Sequence, residues 1–229
     1  MYAPMSSPAS DRATATQFTG PDVVLERAID ADDAQAVEAA LASGAHVNAL
    51  GAHGVTPLEY AVGTFRKQAV RALVRHGADP NRKDAEGDNA VTVAVAAYPG
   101  DPELLALVLA ARGDPNSIGA DGAPAITSFC STRNWEGARF LHDRGASLDV
   151  DYREQPMVVS YAWSVDWDVV QFLIQLGAKT DLPRVREGLV AAFNVPGATP
   201  PDSPLYPAKV AVWRRLKSLG LNPTPPKGM

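Results

Sequence analysis

A single cysteine, Cys130, occurs among the 229 residues. No intramolecular disulfide can form, which points to a reducing compartment and a cytoplasmic location. Aromatic residues are scarce, 7% against 46% apolar residues in all. A core of ordinary extent must then use small side chains, alanine above all, and that favours close helix–helix approach. Positive charge is outnumbered, with 21 Lys and Arg against 26 Asp and Glu and a net charge of −5. This balance argues against nucleic acid and anionic membranes as main partners. No run reaches the roughly 18 consecutive apolar residues needed to span a bilayer. The stretch MYAPMSSPASDRATATQFTG has no basic leader and no apolar block, so it does not read as a signal peptide. Residues 1–20 read as a flexible tail, because small polar residues bury too little to offset ordering entropy.

Motifs that carry chemistry are missing as well. The sequence has no P-loop, no dinucleotide fingerprint and no G-x-S-x-G elbow. His46, His53, His76 and His142 are scattered, and no pair has metal-ligand spacing on one helix. They read as turn and surface histidines. Cys130 follows Phe129 in an apolar segment with no basic neighbour, and reads as a small buried residue, not a nucleophile. The acidic pair Asp32-Asp33 falls in a turn where solvation accounts for it. The expectation is a non-enzyme with no catalytic, cofactor-binding or metal residues and no cofactor.

What is present is a repeat. LASGAHVNAL (41–50), VRHGADPNRK (74–83), LAARGDPNSI (109–118), HDRGASLDV (142–150), IQLGAKTDL (174–182) and KSLGLNPTP (217–225) share one form. Each carries a glycine: Gly44, Gly77, Gly113, Gly145, Gly177 and Gly220, at intervals of 33, 36, 32, 32 and 43 residues. Upstream of each, the positions at −8, −7, −4 and −3 lie on one helical face. In four of the six sets that face is wholly apolar; His142 and Lys217 are the departures. The glycine follows as a C-cap, where a left-handed backbone is easily adopted. A second helix is expected upstream in each unit, over 24–31, 57–65, 89–97, 124–132, 156–164 and 185–193. In the clearest unit, GVTPLEYAV, Gly54 permits a positive φ, Thr56 is placed to cap, and Pro57 sits at the first helical position.

These features resemble the ankyrin repeat. Residues G-V-T-P-L-E-Y-A stand beside the family's G-x-T-P-L-H-x-A, and RHGADPNRKDAEG continues the match. The resemblance implies an all-α fold: an ankyrin-repeat solenoid of stacked helix–turn–helix units with short hairpin loops. It covers about residues 22–223. The domain plan is a tail over 1–20, one repeat domain over 21–223, and a tail over 224–229. The repeats are expected at 22–50, 51–83, 84–118, 119–150, 151–182 and 183–223. Departures are instructive. The family's His is Glu59 here, and Thr-Pro-Leu is replaced by Asn89-Ala90-Val91, Pro124-Ala125-Ile126 and Gln155-Pro156-Met157. The third unit inserts Tyr98-Pro99-Gly100-Asp101-Pro102, and the sixth carries the Pro-rich loop NVPGATPPDSPLYP (194–207).

The resemblance further implies that hairpin tips and first helices line a concave binding face. Phe65, Tyr98 and Trp163 recur at nearly equivalent positions, with Arg66, Arg133, Asn134 and Asp166 at neighbouring helix ends and Tyr152 and Arg153 at a tip. Aromatic and arginine side chains are the types that anchor interfaces. Those nine residues are the candidate partner-binding set. Trp135 and Trp167 begin second helices and read as packing residues. Arg214, Arg215 and Lys217 read as the polar face of a terminal repeat. The expected function is non-catalytic binding of another protein by a chain that is a monomer when free, with no nucleic acid and no membrane involved. The chain also resembles solitary ankyrin proteins that bacteria encode beside secreted toxins, which implies an immunity factor neutralising a cognate toxin. The alternatives are a small-molecule or enzymatic site in the divergent C-terminal repeats, or a secreted effector acting on host proteins.

Overall fold

Every apolar segment of the repeat is helical in the computed structural model, which describes residues 17–195 and 199–226. The helices are α1 (Asp22–Asp30), α2 (Ala34–Ala42), α3 (Pro57–Gly63), α4 (Lys67–Arg75), α5 (Ala90–Ala97) and α6 (Pro102–Ala110). They continue with α7 (Ile126–Ser131), α8 (Trp135–His142), α9 (Met157–Trp163), α10 (Trp167–Leu176), α11 (Pro183–Phe193) and α12 (Tyr206–Ser218). Strands β1 (Asp151–Tyr152) and β2 (Gln155–Pro156) pair antiparallel in one hairpin. Residues 1–16 of the expected tail, 196–198 of the Pro-rich loop and 227–229 lie outside the described residues.

The packing divides into two compact units between Ala125 and Ile126. The division falls at the departure Pro124-Ala125-Ile126. In the first unit α1 packs on α2 and α3, α3 on α4 and α5, and α4 on α6. In the second, α7 packs on α8, α9 on α10 and α11, and α10 on α12. Each unit is thus an all-α stack of helix–turn–helix pairs in the solenoid manner.

Local chemistry starts several of the helices. Thr56 Oγ1 accepts the Glu59 N–H at 3.1 Å, Pro57 occupies the first turn, and Gly54 has φ +76°. Leu58 and Ala61 are fully buried. Asn89 does the work of Thr56 in the third unit: it accepts from Val91 and Thr92 N–H, while the Thr92 hydroxyl accepts the Asn89 N–H in return. Asp33, Asp101 and Asn134 cap α2, α6 and α8 through their side chains.

In the third unit the register differs by one residue from the expectation. Arg112, not Gly113, takes the left-handed conformation (φ +70°), matching Gly44, Gly77, Gly145, Gly177 and Gly220. The buried face is accordingly Leu104, Leu105 and Val108, while Ala110 is exposed. Gly113 falls where other units carry Ala45, Ala78, Ala146 or Ala178, whose N–H returns to the carbonyl five residues earlier. A Cβ there would lie 2.7 Å from Val91 Cγ2 and 2.8 Å from the Val108 carbonyl oxygen. The glycine serves close approach in this unit, and arginine bears the turn.

Between paired helices a second left-handed position recurs: Asp32 (φ +50°), Phe65 (+59°), Arg133 (+57°) and Val165 (+65°). None is glycine, and a β-branched side chain is the most strained there. Val165→Gly is expected to raise stability by about 1 kcal/mol, net of the greater freedom of glycine in the unfolded chain. A urea denaturation midpoint that falls would overturn this assignment.

Polar turns join neighbouring repeats. Asn48 donates to the Gly77 carbonyl and accepts the Asp79 N–H; Asn81 donates to the Arg112 carbonyl and accepts the Asp114 N–H. In the second unit Asp149 accepts the Lys179 N–H and ion-pairs with its ammonium. Both described termini are held. Gln17 and Phe18, expected in a flexible tail, are buried against α1 and the first hairpin. Thr224 donates its N–H to Asn194, and Pro226 is buried.

Candidate functional site

The candidate binding residues form separate groups in the two units. In the first, Phe65 is half exposed and rests against the inserted turn; a Cβ on Gly100 would lie 3.1 Å from its ring. Arg66, partly buried, opens α4. Beside it Lys67 ion-pairs with Asp101 (3.0 Å) and Glu103 (3.2 Å), and Arg71 also reaches Glu103. Hydrogen bonds from Lys67 and Arg71 hold the Glu103 carboxyl below its usual range, and Asp101 and Glu103 raise the Lys67 ammonium.

Tyr98 is 5% exposed, contrary to its expected place on an accessible face. Its backbone continues the helical conformation of α5, so the ring turns inward, and Pro99 and Gly100 take the surface instead. Nor are Phe65 and Trp163 equivalent. Phe65 shares its left-handed turn position with Val165, two residues beyond Trp163.

The second unit gathers the denser group. Arg133, displayed by its left-handed turn, bonds Asp166 Oδ1 at 2.8 Å through one terminal nitrogen and Asp168 Oδ2 at 2.7 Å through Nε. Both carboxylates raise the pKa of the guanidinium. Asn134 is spent on capping α8, where its Oδ1 accepts the Gly137 N–H at 2.9 Å. Trp163, the last residue of α9, is 47% exposed, three residues before Asp166. At the hairpin, Tyr152 stacks on Tyr161 at 5.7 Å, and the Arg153 guanidinium lies 4.8 Å from the Tyr152 ring centre. Tyr161 is buried, with its hydroxyl 3.0 Å from Ser131 Oγ and donating to the Thr127 carbonyl. Burial foremost pushes its pKa up. The turn residues are therefore fixed from beneath and carry an exposed indole.

Three features escaped the sequence reading: Asp168, Tyr161, and Lys209, whose ammonium lies over the rings of Phe193 (4.8 Å) and Trp167 (5.4 Å). Burial lowers the Lys209 pKa. A usable signal existed for the first, because contacts between repeats join residues about one period apart. Arg133 meets partners 33 and 35 residues ahead, and Tyr60 donates to Asp30, 30 residues behind. Cys130 is fully buried, and desolvation pushes its thiol up to about 12. Trp167 is buried and Trp135 stacks on Phe172 at 4.6 Å, both within the packing of the second unit.

In the first unit the tip of one hairpin touches the next: Ala85 donates its N–H to the His53 carbonyl at 2.7 Å. The segment between those two residues, 53–85, is the one matched by the family model described as ankyrin repeat. That segment is similar to one ankyrin repeat. A curated relative, the E3 ubiquitin-protein ligase KEG of Arabidopsis thaliana, is 27% identical over 118 residues, or 51% of this chain. The chain spans only 7% of that protein's length. The segment matched by the family model lies in the first unit, whereas the exposed Trp163 belongs to the second. Among the described residues no helix is long and apolar enough to cross a membrane.

Proposed function

We propose that this chain is a non-catalytic binding module whose main contact with a partner protein is the Trp163 turn of the second unit. Ankyrin repeats mediate protein–protein interaction, and one observation favours this place: a half-exposed Trp stands three residues before Asp166, one of the two carboxylates that hold Arg133. Rigid indole and guanidinium groups lose little freedom on binding, which makes them effective anchors. Phe65 with Arg66, and Tyr152 with Arg153, would add secondary contacts. The finer role that fits the resemblance is an immunity factor, acting in the cytoplasm as a monomer and neutralising a toxin by occlusion.

The test is capture of a partner from the source cell, followed by titration of variants. Trp163→Ala is expected to weaken binding at least 10-fold, about 1.4 kcal/mol, with an unchanged melting temperature because the side chain is half in solvent. Equal affinity of the variant for an identified partner would rule out this surface. A toxin as the captured protein supports the immunity role; a host protein supports an effector; capture of no protein at any salt removes the binding reading.

A further inference from the structure

The N-terminal edge of the first unit is built like a peptide-binding notch, and the chain's own Gln17-Phe18 fills it. The Gln17 N–H donates to Glu26 Oε1 at 2.6 Å and the Phe18 N–H to Oε2 at 3.3 Å. Glu26 is a carboxylate only 5% exposed, in the middle of α1. On the other side the Gln17 carbonyl accepts the Ala52 N–H at 2.7 Å. The Phe18 ring meets Tyr60 edge-on at 6.2 Å, and Tyr60 is fixed by its bond to Asp30. The floor is Gly51. Its φ is −81°, so the backbone does not require glycine there. A Cβ at Gly51 would instead lie 2.7 Å from the Gln17 carbonyl oxygen and 3.0 Å from the Phe18 ring. The missing side chain makes room for the strap.

Within the unit the same bond is otherwise made between repeats, by the Ala85 N–H and the His53 carbonyl at 2.7 Å. The strap therefore stands where a preceding hairpin tip would stand, yet it belongs to no helix or strand. The notch grips it through main-chain N–H and carbonyl groups and through the Phe18 ring. Any extended segment with an aromatic residue in register offers the same groups. Such recognition is main-chain capture with one side-chain pocket.

We propose that the Glu26–Gly51–Tyr60 notch is a binding site for an extended peptide segment bearing an aromatic residue, and that Gln17-Phe18 is its tethered, displaceable occupant. Only residues 19–21 separate the strap from α1, so its effective concentration at the notch is high, of millimolar order or above. A competing segment must exceed that, or must act when the strap is weakened.

The test uses the full chain labelled with 15N, with the Ala52 amide as the reporter. In Phe18→Ala, the peptide TATQFTG (residues 14–20) at millimolar concentration is expected to return the Ala52 resonance to its position in the unmodified chain. The unmodified chain should need at least 10-fold more peptide for any response. Phe18→Ala with Gly51→Ala should not respond, nor should Phe18→Ala given a peptide with its Phe replaced by Ala. No shift in folded Phe18→Ala, or equal responses from both chains, overturns the proposal. Amide exchange on the unmodified chain is the second measurement. Ala52 should exchange at least 10-fold faster than Ala85; equal protection makes the strap a fixed part of the fold and also overturns the proposal. Neither readout depends on whether the Trp163 turn binds a partner.

Discussion

Trp167→Ala is expected to destabilise the second unit by about 4 kcal/mol. Trp167 is fully buried and the largest side chain in that class. Its ring meets Phe193 at 5.2 Å in an edge-on contact, and its Nε1 donates to Thr199 Oγ1 at 2.9 Å. Truncation removes the apolar transfer energy, opens a cavity between α10 and α11, and leaves a buried hydroxyl without its donor. Trp167→Phe separates these terms. It keeps most of the packing, and its expected loss of about 1–2 kcal/mol reflects the orphaned Thr199 and the smaller ring. All four tryptophans, 135, 163, 167 and 213, belong to the second unit, so the remaining three report its unfolding in urea by fluorescence. A loss below about 1 kcal/mol for the alanine variant would mean that the site collapses around the gap, contrary to the close packing described.

Gly188→Ala is expected to lower the stability of the same unit by about 2 kcal/mol, against the usual sign. In an open helix this change gains about 1 kcal/mol through alanine's better propensity. Here α11 crosses α9 at Gly188, and a Cβ would lie 2.6 Å from Val159 Cγ1 and 3.0 Å from Cγ2. Val159 is 1% exposed and β-branched in a helix, so it has little rotamer freedom to give way. The helices must part, which is how overpacking destabilises a core. Val159→Ala in the Gly188→Ala background is expected to recover most of the loss. A stable single variant, or a double variant no better than the single one, would show that α9 and α11 do not meet at this point.

Much of the helical plan was legible because several helices carry their own instructions. Thr56-Pro57, the apolar face Ala69-Val70-Leu73 and the turn at Gly77 state start, burial and stop within one stretch. Legibility failed where a residue's role is set by a neighbour's geometry. Gly113 and Arg112 exchange duties because the close contact with Val91 needs the glycine more than the left-handed turn does. Tyr98 was read as a surface anchor from its place at a helix end, but only the continued helical backbone decides which way the ring turns. Arg133 was legible as a candidate, while its second carboxylate, Asp168, lies one period ahead and on the next helix. Gln17 and Phe18 looked like tail because nothing in their own composition marks the buried Glu26 that receives them.

The polar turns have a consequence for how the chain can grow. Asn48, Asn81, Asn116 and Asp149 each stand four residues after the left-handed residue that ends a helix: Gly44, Gly77, Arg112 and Gly145. Asn81 still reaches the Arg112 carbonyl and Asp114 N–H although the inserted turn at 98–101 lies between them. Extra length is absorbed between paired helices and leaves the ladder untouched. The longer loop that begins at Asn194 enters at the same kind of place, between α11 and α12. New sequence is thus admitted at one edge of a stack, and the opposite edge is locked to a fixed count. A lineage of such chains would diversify in length along a single margin of each unit. That margin carries Phe65 in the first unit and Trp163 in the second.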